Sequence, residues 1–388
     1  MKDNRSIYFD NAATSWPKPE EVYEAAGKVL RYSGSNPGRS AHTRSIQAER
    51  IVFEARERVA SFLGAEFPEE IIFTLNATDS LNMAIKGVLE EGDHVIYTSM
   101  EHNSVLRPLG SQKEGGGITT TMVSPGADGF LEVEKITEAI KPETKMIICT
   151  HASNIIGSIM PAAAIANLAR EKDIVFLLDA AQTAGSLPLN LQEIRPHLAA
   201  FTGHKSLLGP PGVGLLYVCK GLHIKPWREG GTGSSSEEER QPQIMPDYLE
   251  AGTMNMPGLA GLNEGIKFIQ EHGVSTIRQH DLQLINMLRE GLKKIEGTTV
   301  YGSGDTSSSV AVVSFTVEGM DSGELGYILE EVYGILCRTG LHCAPQAHRT
   351  IGTFPEGTVR FSPGYFNTEE EVEYVLESLR KITVSFKA

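Results

Sequence analysis

From about residue 45 to residue 220 the chain alternates short apolar runs with stretches of helical spacing, and that rhythm limits the folds open to it. AERIVFEARERVASFLGA carries its apolar residues at three- and four-residue intervals. EEIIFTL is a short apolar run, and NATDSLNMAIKGVLE returns to the helical period. DHVIYTS, TKMIICTHAS and DIVFLLDA read as strands; SVLRPLG and the helical PAAAIANLAREK lie between them. LAAFTG and VGLLYVC bracket a loop. Strands and helices in this order predict an α/β fold, a mainly parallel sheet covered by helices on both faces. Such sheets bind ligands at the carboxyl ends of their strands, so the residues just after each strand are the first candidates for function.

Beyond residue 225 the texture changes. GGTGSSSEEERQPQ reads as a solvated loop. LNEGIKFIQEHG and STIRQHDLQLINMLREGLKKIEG look helical, and the first carries the chain toward a second domain. SSSVAVVSFTV, DSGELGYILEEVYG, ILCRTG, GTVRFSPG and TEEEVEYVLESLRKI then read strand, helix, strand, strand, helix. The expectation is a large domain over residues 15–258 and a smaller α+β domain built from 1–14 and 259–388, within a chain of 388 residues.

With 35 Lys and Arg against 49 Asp and Glu, the net charge is −14, which disfavours a nucleic-acid or anionic-membrane partner. MKDNRSIYFDN has no apolar core of a secretory signal. No apolar run approaches the roughly 20 residues that span a bilayer. Four cysteines (Cys149, Cys219, Cys337 and Cys343) form no CxxC pair, so the expectation is free thiols in a reducing cytoplasm.

The strand ends carry an ordered set of polar residues. In FTGHKSLLGPPGVGLLYV, Lys205 follows a strand beside His204. A solvated surface lysine is the commonest reading. A P-loop is excluded, because His204 separates Gly203 from Lys205. The third reading is a lysine that forms a Schiff base with an aldehyde, its amine made nucleophilic by burial and a neighbouring cation. Pyridoxal phosphate then demands a carboxylate at its ring nitrogen. Asp179, at the end of FLLDAAQTAG, can supply it or can simply cap a helix. Gln182 can donate to the ring's phenolic oxygen. Asn76-Ala77-Thr78, between a strand and a helix, offers donors to a phosphate, though such residues cap helices everywhere. His102 follows the next strand, where its imidazole can stack on a ring or serve structure alone; Asn154 follows the one after.

These residues carry a family resemblance over nearly the whole chain. YFDNAATSWPKP, NATDS, EHNSV, HASNIIG, DAAQ, GHKSLLGPPGVG, EAGTMNMPG, RTGLHCAP and VRFSPGYFNTEEEV together resemble the class V aminotransferases of PLP fold type I. Within them the chain is similar to the cysteine desulfurases with a short catalytic loop, the group II members. The resemblance implies a large domain with a seven-stranded sheet between helices and a smaller α+β domain. It implies pyridoxal 5'-phosphate as cofactor, held by Lys205 as an aldimine. Asp179 would pair with its ring nitrogen, Gln182 with its phenolic oxygen, and His102 would stack on the ring. Ala77, Thr78, Thr202 and His204 would hold the phosphate. Thr253 would reach the phosphate of a partner subunit, implying a homodimer with shared active sites. Arg360, helped by Asn154, would bind the carboxylate of the substrate, L-cysteine, and Arg338 and His342 would flank the nucleophile.

Cys343 is the nucleophile by this reading. A zinc site is disfavoured, because His342 and Cys343 are adjacent without a second ligand pair. A buried structural thiol suits Cys149, Cys219 and Cys337, which lie in apolar runs, better than Cys343, which lies among polar and turn residues. Nearby cations would favour its thiolate. The expected activity converts L-cysteine to L-alanine through aldimine and ketimine chemistry, leaving sulfur on Cys343 as a persulfide for a protein acceptor. A selenocysteine lyase or other C–S lyase, a class V aminotransferase, and a cofactor-free binding scaffold are the alternatives.

Overall fold

The computed structural model describes residues 6–37, 42–234 and 237–387. A short strand, β1 (Ile7–Tyr8), precedes the seven strands of the main sheet. These are β2 (Ile71–Thr74), β3 (His94–Thr98), β4 (Thr119–Val123), β5 (Thr144–Thr150), β6 (Val175–Asp179), β7 (Leu198–Thr202) and β8 (Gly214–Val218). Across the sheet they run β2-β8-β7-β6-β5-β3-β4. The strands from β7 to β4 pair in parallel, and β8 pairs antiparallel with both β7 and β2.

The unbroken apolar runs have a direct cause. Successive side chains of a strand point to opposite faces. In β6, Phe176 and Leu178 pack into one apolar cluster and Val175 and Leu177 into another. A sheet covered on both faces needs apolar residues at every position. The reversal at β8 also has a local cause. Residues 203–213 hold no helix, and a connection that short closes a hairpin rather than a parallel crossover. The hairpin loop leaves Lys205 at the carboxyl end of β7.

Strand β4 escapes the sequence rhythm because its TTTMV is a threonine-rich edge strand with only Val123 buried. The helices Glu20–Tyr32 and Val133–Ala139 are likewise not announced by the alternation.

The later strands are β9 (Thr298–Val300), β10 (Val313–Val317), β11 (Ile335–Leu336), β12 (Arg338–Gly340) and β13 (Thr358–Phe361). Four of them form an antiparallel sheet in the order β12-β13-β10-β9. ILCRTG, expected as one strand, is two: β11 pairs with β1, and β12 pairs with β13. The helices Val274–Lys293, Ser322–Tyr333 and Glu369–Lys387 bury Leu288, Leu329 and Leu376 against Phe315 and Phe361 of this sheet. Ile7 and Phe9 enter the same cluster, which brings the N-terminal segment to the smaller sheet. The helix Met256–His272 packs Leu262 and Ile266 into the main sheet's core. In the Gly/Ser/Glu-rich segment, residues 230–234 and 237–242 form neither helix nor strand, and 235–236 lie outside the described residues. So do residues 1–5, part of the N-terminal stretch assessed for a signal. No described helix is long and apolar enough to cross a membrane.

One buried ion pair ties the edge of the main sheet to a distant loop. Arg56 on the helix Thr43–Leu63 donates from both terminal nitrogens to Glu250, at 2.8 Å each. Arg56 also lies over the Phe73 ring at 4.4 Å and donates to the Ile71 carbonyl. Both charged side chains are buried, so removing one leaves the other uncompensated. Arg56→Ala is expected to cost about 3–5 kcal/mol of stability, read from the urea unfolding midpoint.

Candidate active site

A cavity of about 250 Å³ opens at the carboxyl ends of the parallel strands. Ala77, Thr78, His102, Asn154, Asp179, Gln182, Thr202, His204, Lys205, Arg338, Cys343 and Arg360 all line it. Of the residues given a site role from the sequence, Thr253 and His342 do not line it: Thr253 is exposed beside Gly252, and His342 is buried.

One wall is a helix start. Asn76 caps the helix Ala77–Val88, its side-chain oxygen accepting from the Asp79 amide at 2.9 Å, so the first turn presents its positive end to the cavity. The Thr78 hydroxyl lies 2.7 Å from that of Ser104. Ser104 in turn donates its backbone N–H to Nδ1 of His102 at 3.1 Å. An accepting Nδ1 places the imidazole proton on Nε2. Burial lowers the His102 pKa to about 4, and Lys205, Arg338, Arg107 and Arg360 push the same way. The ring facing the cavity is neutral.

Asp179 ends β6 and is buried. Its Oδ1 accepts from the Ala181 amide at 3.0 Å. Burial raises its pKa, opposed by that amide and by Lys205. Thr202 ends β7, and its buried hydroxyl has no hydrogen-bond partner. Such an atom is costly unless a ligand or water meets it. Gln182 donates to the Ala12 carbonyl at 3.1 Å, which joins the N-terminal segment to the cavity wall.

Lys205 is half-buried, and its backbone is held from the N-terminal segment. Four donors meet the neighbouring His204 carbonyl: Ser15 N at 3.0 Å, Thr14 Oγ1 at 3.1 Å, Ser15 Oγ at 3.2 Å and Lys18 Nζ at 3.2 Å. Burial lowers the Lys205 pKa to about 8; Arg360 and Arg338 lower it further, against Asp179 and Asp10. About a tenth of the amine is therefore neutral near pH 7, far more than for an ordinary lysine, and the neutral form is the nucleophilic one. His204, at about 4 through burial and the two nearby lysines, is uncharged.

The opposite wall comes from the smaller sheet. Arg360 of β13 is fully buried, and Arg338 of β12 sits opposite it in register. Arg360 pairs with Asp10 at 2.6 Å and donates to the Asn154 carbonyl at 3.0 Å. Its Nε remains without a partner. Arg338 donates from Nη2 to Cys343 Sγ at 3.4 Å.

The Cys343 loop is a tight turn: His342 and Cys343 both take left-handed backbone angles, φ 49° and 60°, which is uncommon outside glycine. Asn103 N donates to the Cys343 carbonyl at 2.7 Å, and Asn154 Nδ2 to the His342 carbonyl at 2.9 Å. The Asn154 amide thus serves the turn. His342 is not a flanking cation. Its ring is buried against His348, and burial lowers its pKa to about 2. Arg338 is left as the cation bonded to the thiol. The other thiols sit in apolar surroundings: burial raises Cys149 well above its ordinary value and Cys337 to about 12. The described residues contain no cluster of metal-ligating side chains.

Asp10, Ser15, Lys18, Asn103 and Ser104 complete the site and were assigned no role from sequence. YFDNAATSWPKP and EHNSV contain them, but their partners lie far away in the chain.

The class V aminotransferase family model matches residues 7–375. The chain is 32% identical to a probable cysteine desulfurase of Methanothermobacter thermautotrophicus, over 97% of this chain and 94% of the relative. It is 33% identical to the cysteine desulfurase IscS of Photobacterium profundum, over 96% and 92%. Among solved structures, the apo cysteine desulfurase of Thermococcus onnurineus NA1 superposes with a TM-score of 0.92 at 32% identity, covering 98% of this chain and 96% of that one. Cysteine desulfurase CsdA of Escherichia coli gives 0.88 at 27% identity, over 98% and 95%. With the match spanning both sheets, the chain belongs to the class V aminotransferases and, within them, to the cysteine desulfurase family.

Proposed function

We propose that the cavity holds pyridoxal 5'-phosphate on Lys205 and that the enzyme moves the sulfur of L-cysteine onto Cys343, releasing L-alanine. Cys343, with Arg338 at 3.4 Å from its sulfur, lines the same cavity as Lys205 and Asp179; this observation carries the reading. The cavity residues fit the cofactor. The helix start at Ala77 and Thr78 and the unpartnered Thr202 hydroxyl suit its phosphate. The buried Asp179, its Oδ1 held by the Ala181 amide, suits a protonated ring nitrogen. The neutral His102 ring suits stacking, and Gln182 lines the same cavity.

When bound, the cofactor supplies an electron sink for the substrate's Cα–H bond. Lys205 removes the Cα proton and later returns one. Arg360, with a free buried Nε–H, grips the substrate carboxylate and directs the sulfur toward the turn. Cys343 attacks the substrate sulfur as a thiolate: an S–S bond forms as the Cβ–S bond breaks. The electron pair of the broken bond takes up a proton, and alanine leaves. Arg338, 3.4 Å from Sγ, orients the attacking sulfur. Exposed Thr253 would complete the phosphate site of a second copy in a homodimer. The persulfide would pass to an acceptor protein, and the four free thiols agree with a reducing cytoplasm. The division at residue 258 into a cofactor-holding domain and a cysteine-bearing domain belongs to the same proposal.

The test is incubation of the holoenzyme with L-cysteine and a reductant. Alanine and sulfide are expected in equal amounts. A keto acid in stoichiometric yield would point to an aminotransferase instead.

A further inference from the structure

We propose that Glu101 is a positioning residue for sulfur transfer: as an uncharged carboxylic acid it bridges the ends of β3 and β5, fixing His102 and, through Asn103, the Cys343 turn. This rests on the function proposed above. Glu101 does not line the cavity.

Its side chain is fully buried. One carboxyl oxygen, Oε1, accepts from the Thr98 hydroxyl at 2.6 Å and from the Thr150 amide at 2.8 Å. Thr98 closes β3 and Thr150 closes β5, and these strands are neighbours in the main sheet. The carboxyl therefore ties together two strand ends that frame the cavity. The other oxygen, Oε2, is buried without a partner.

That one-sided bonding decides the charge. A carboxylate with one oxygen desolvated and unpaired is costly unless a cation answers it. The titratable groups that bear on Glu101 are Asp179, Cys149 and Tyr97: a second acid, a thiol and a phenol. Burial pushes the Glu101 pKa up to about 8, and Asp179 pushes it the same way, because like charges on two buried carboxyls oppose each other. Asp179 has Lys205 to balance it, so Glu101 keeps its proton.

The bridge reaches the chemistry within two residues. His102 follows at once and faces the cavity. Asn103 then donates its N–H to the Cys343 carbonyl at 2.7 Å. With Asn154 holding the His342 carbonyl, that bond secures the left-handed pair that aims the thiol. Glu101 thus acts on the sulfur step by holding the segment against which the turn rests.

The test compares Glu101→Gln, Glu101→Ala, Glu101→Asp and Thr98→Val with the wild-type holoenzyme. Two quantities are read: kcat and KM for L-cysteine, and the rate at which iodoacetamide alkylates Cys343, located by peptide mass spectrometry without substrate. Glutamine is uncharged and the same length, so both should stay within about twofold of wild type. Glu101→Ala and Glu101→Asp should lower kcat roughly tenfold while KM changes less than about twofold, since misplacement affects the transition state more than binding. Their Cys343 should alkylate several-fold faster as the turn loosens. Thr98→Val should act in the same direction, less strongly, and together with Glu101→Asp carries the test if Glu101→Ala does not fold. The proposal is overturned if Glu101→Gln is as impaired as Glu101→Asp, which would mean that a charge is required. It is equally overturned if Glu101→Asp and Thr98→Val match wild type in both measurements. A wild-type enzyme that made neither alanine nor sulfide would undo the proposed function instead, and the alkylation rates would still decide the role of Glu101.

Discussion

Cys343→Ser is expected to abolish sulfide release from L-cysteine, with a loss of about a thousandfold or more in kcat. A serine hydroxyl keeps the size and the turn but stays protonated near neutral pH, so no strong nucleophile faces the substrate sulfur. Arg338 donates to the thiol at 3.4 Å, and the same contact cannot make an alcohol a strong nucleophile. The substitution leaves Lys205, Asp179 and Arg360 in place, so cofactor colour and L-cysteine binding should survive. Trapping of the persulfide on the wild-type peptide that contains Cys343 gives an independent readout. Sulfide release at more than about a tenth of the wild-type rate would remove Cys343 from its assigned role. Release of selenium from selenocysteine could persist in the same variant, because selenium is a better leaving group, and this separates the two substrates.

Lys205→Arg is expected to be as damaging, again by about a thousandfold or more. Arginine retains the positive charge next to Asp179 but is never deprotonated in a protein, so it offers neither an amine nucleophile nor a base for the Cα proton. In the proposed function the wild-type lysine would owe both abilities to its lowered pKa of about 8, which burial causes first and the two arginines deepen. The variant should therefore fold, lose the yellow colour that lysine-bound pyridoxal gives, and release its cofactor on desalting. Retention of colour and turnover in Lys205→Arg would show that another amine does the work. Lys18, which lies outside the cavity lining, donates to Ser15 and the His204 carbonyl, a structural set of bonds.

The strand ends were the most legible part of the chain. An apolar run that stops at Asp179, or at Thr202 just before Lys205, marks both the strand and the point where it meets the cavity. That signal is local: burial on both faces demands continuous apolar residues, and the first polar residue ends the demand. The same logic missed β4, where an edge position relaxes the demand, and read the β11–β12 segment as a single strand. There Cys337 separates two short strands whose partners, β1 and β13, lie in distant parts of the chain.

The role of the charged and hydrogen-bonding groups was much less legible. His342 read as a cation beside the nucleophile, yet it is neutral, because its ring is enclosed against His348. Asn154 read as a substrate contact, yet its amide supports the turn. Asp10 carried no signal at all, although it is the counterion of Arg360 across 350 positions of sequence. Glu101 sits in a motif whose histidine drew the attention.

By itself the order of residues determined the α/β architecture, the strand ends at which Lys205, Asp179 and His102 emerge, and the family to which those motifs point. Periodicity and turn chemistry act over a few residues, so they can be read in one dimension. Only the tertiary structure decided which groups are charged, which atoms stay unpaired, and that Arg338 donates to the Cys343 sulfur. Protonation depends on how much water each group loses and on which charges surround it, and both are set by segments that meet only when the chain has folded.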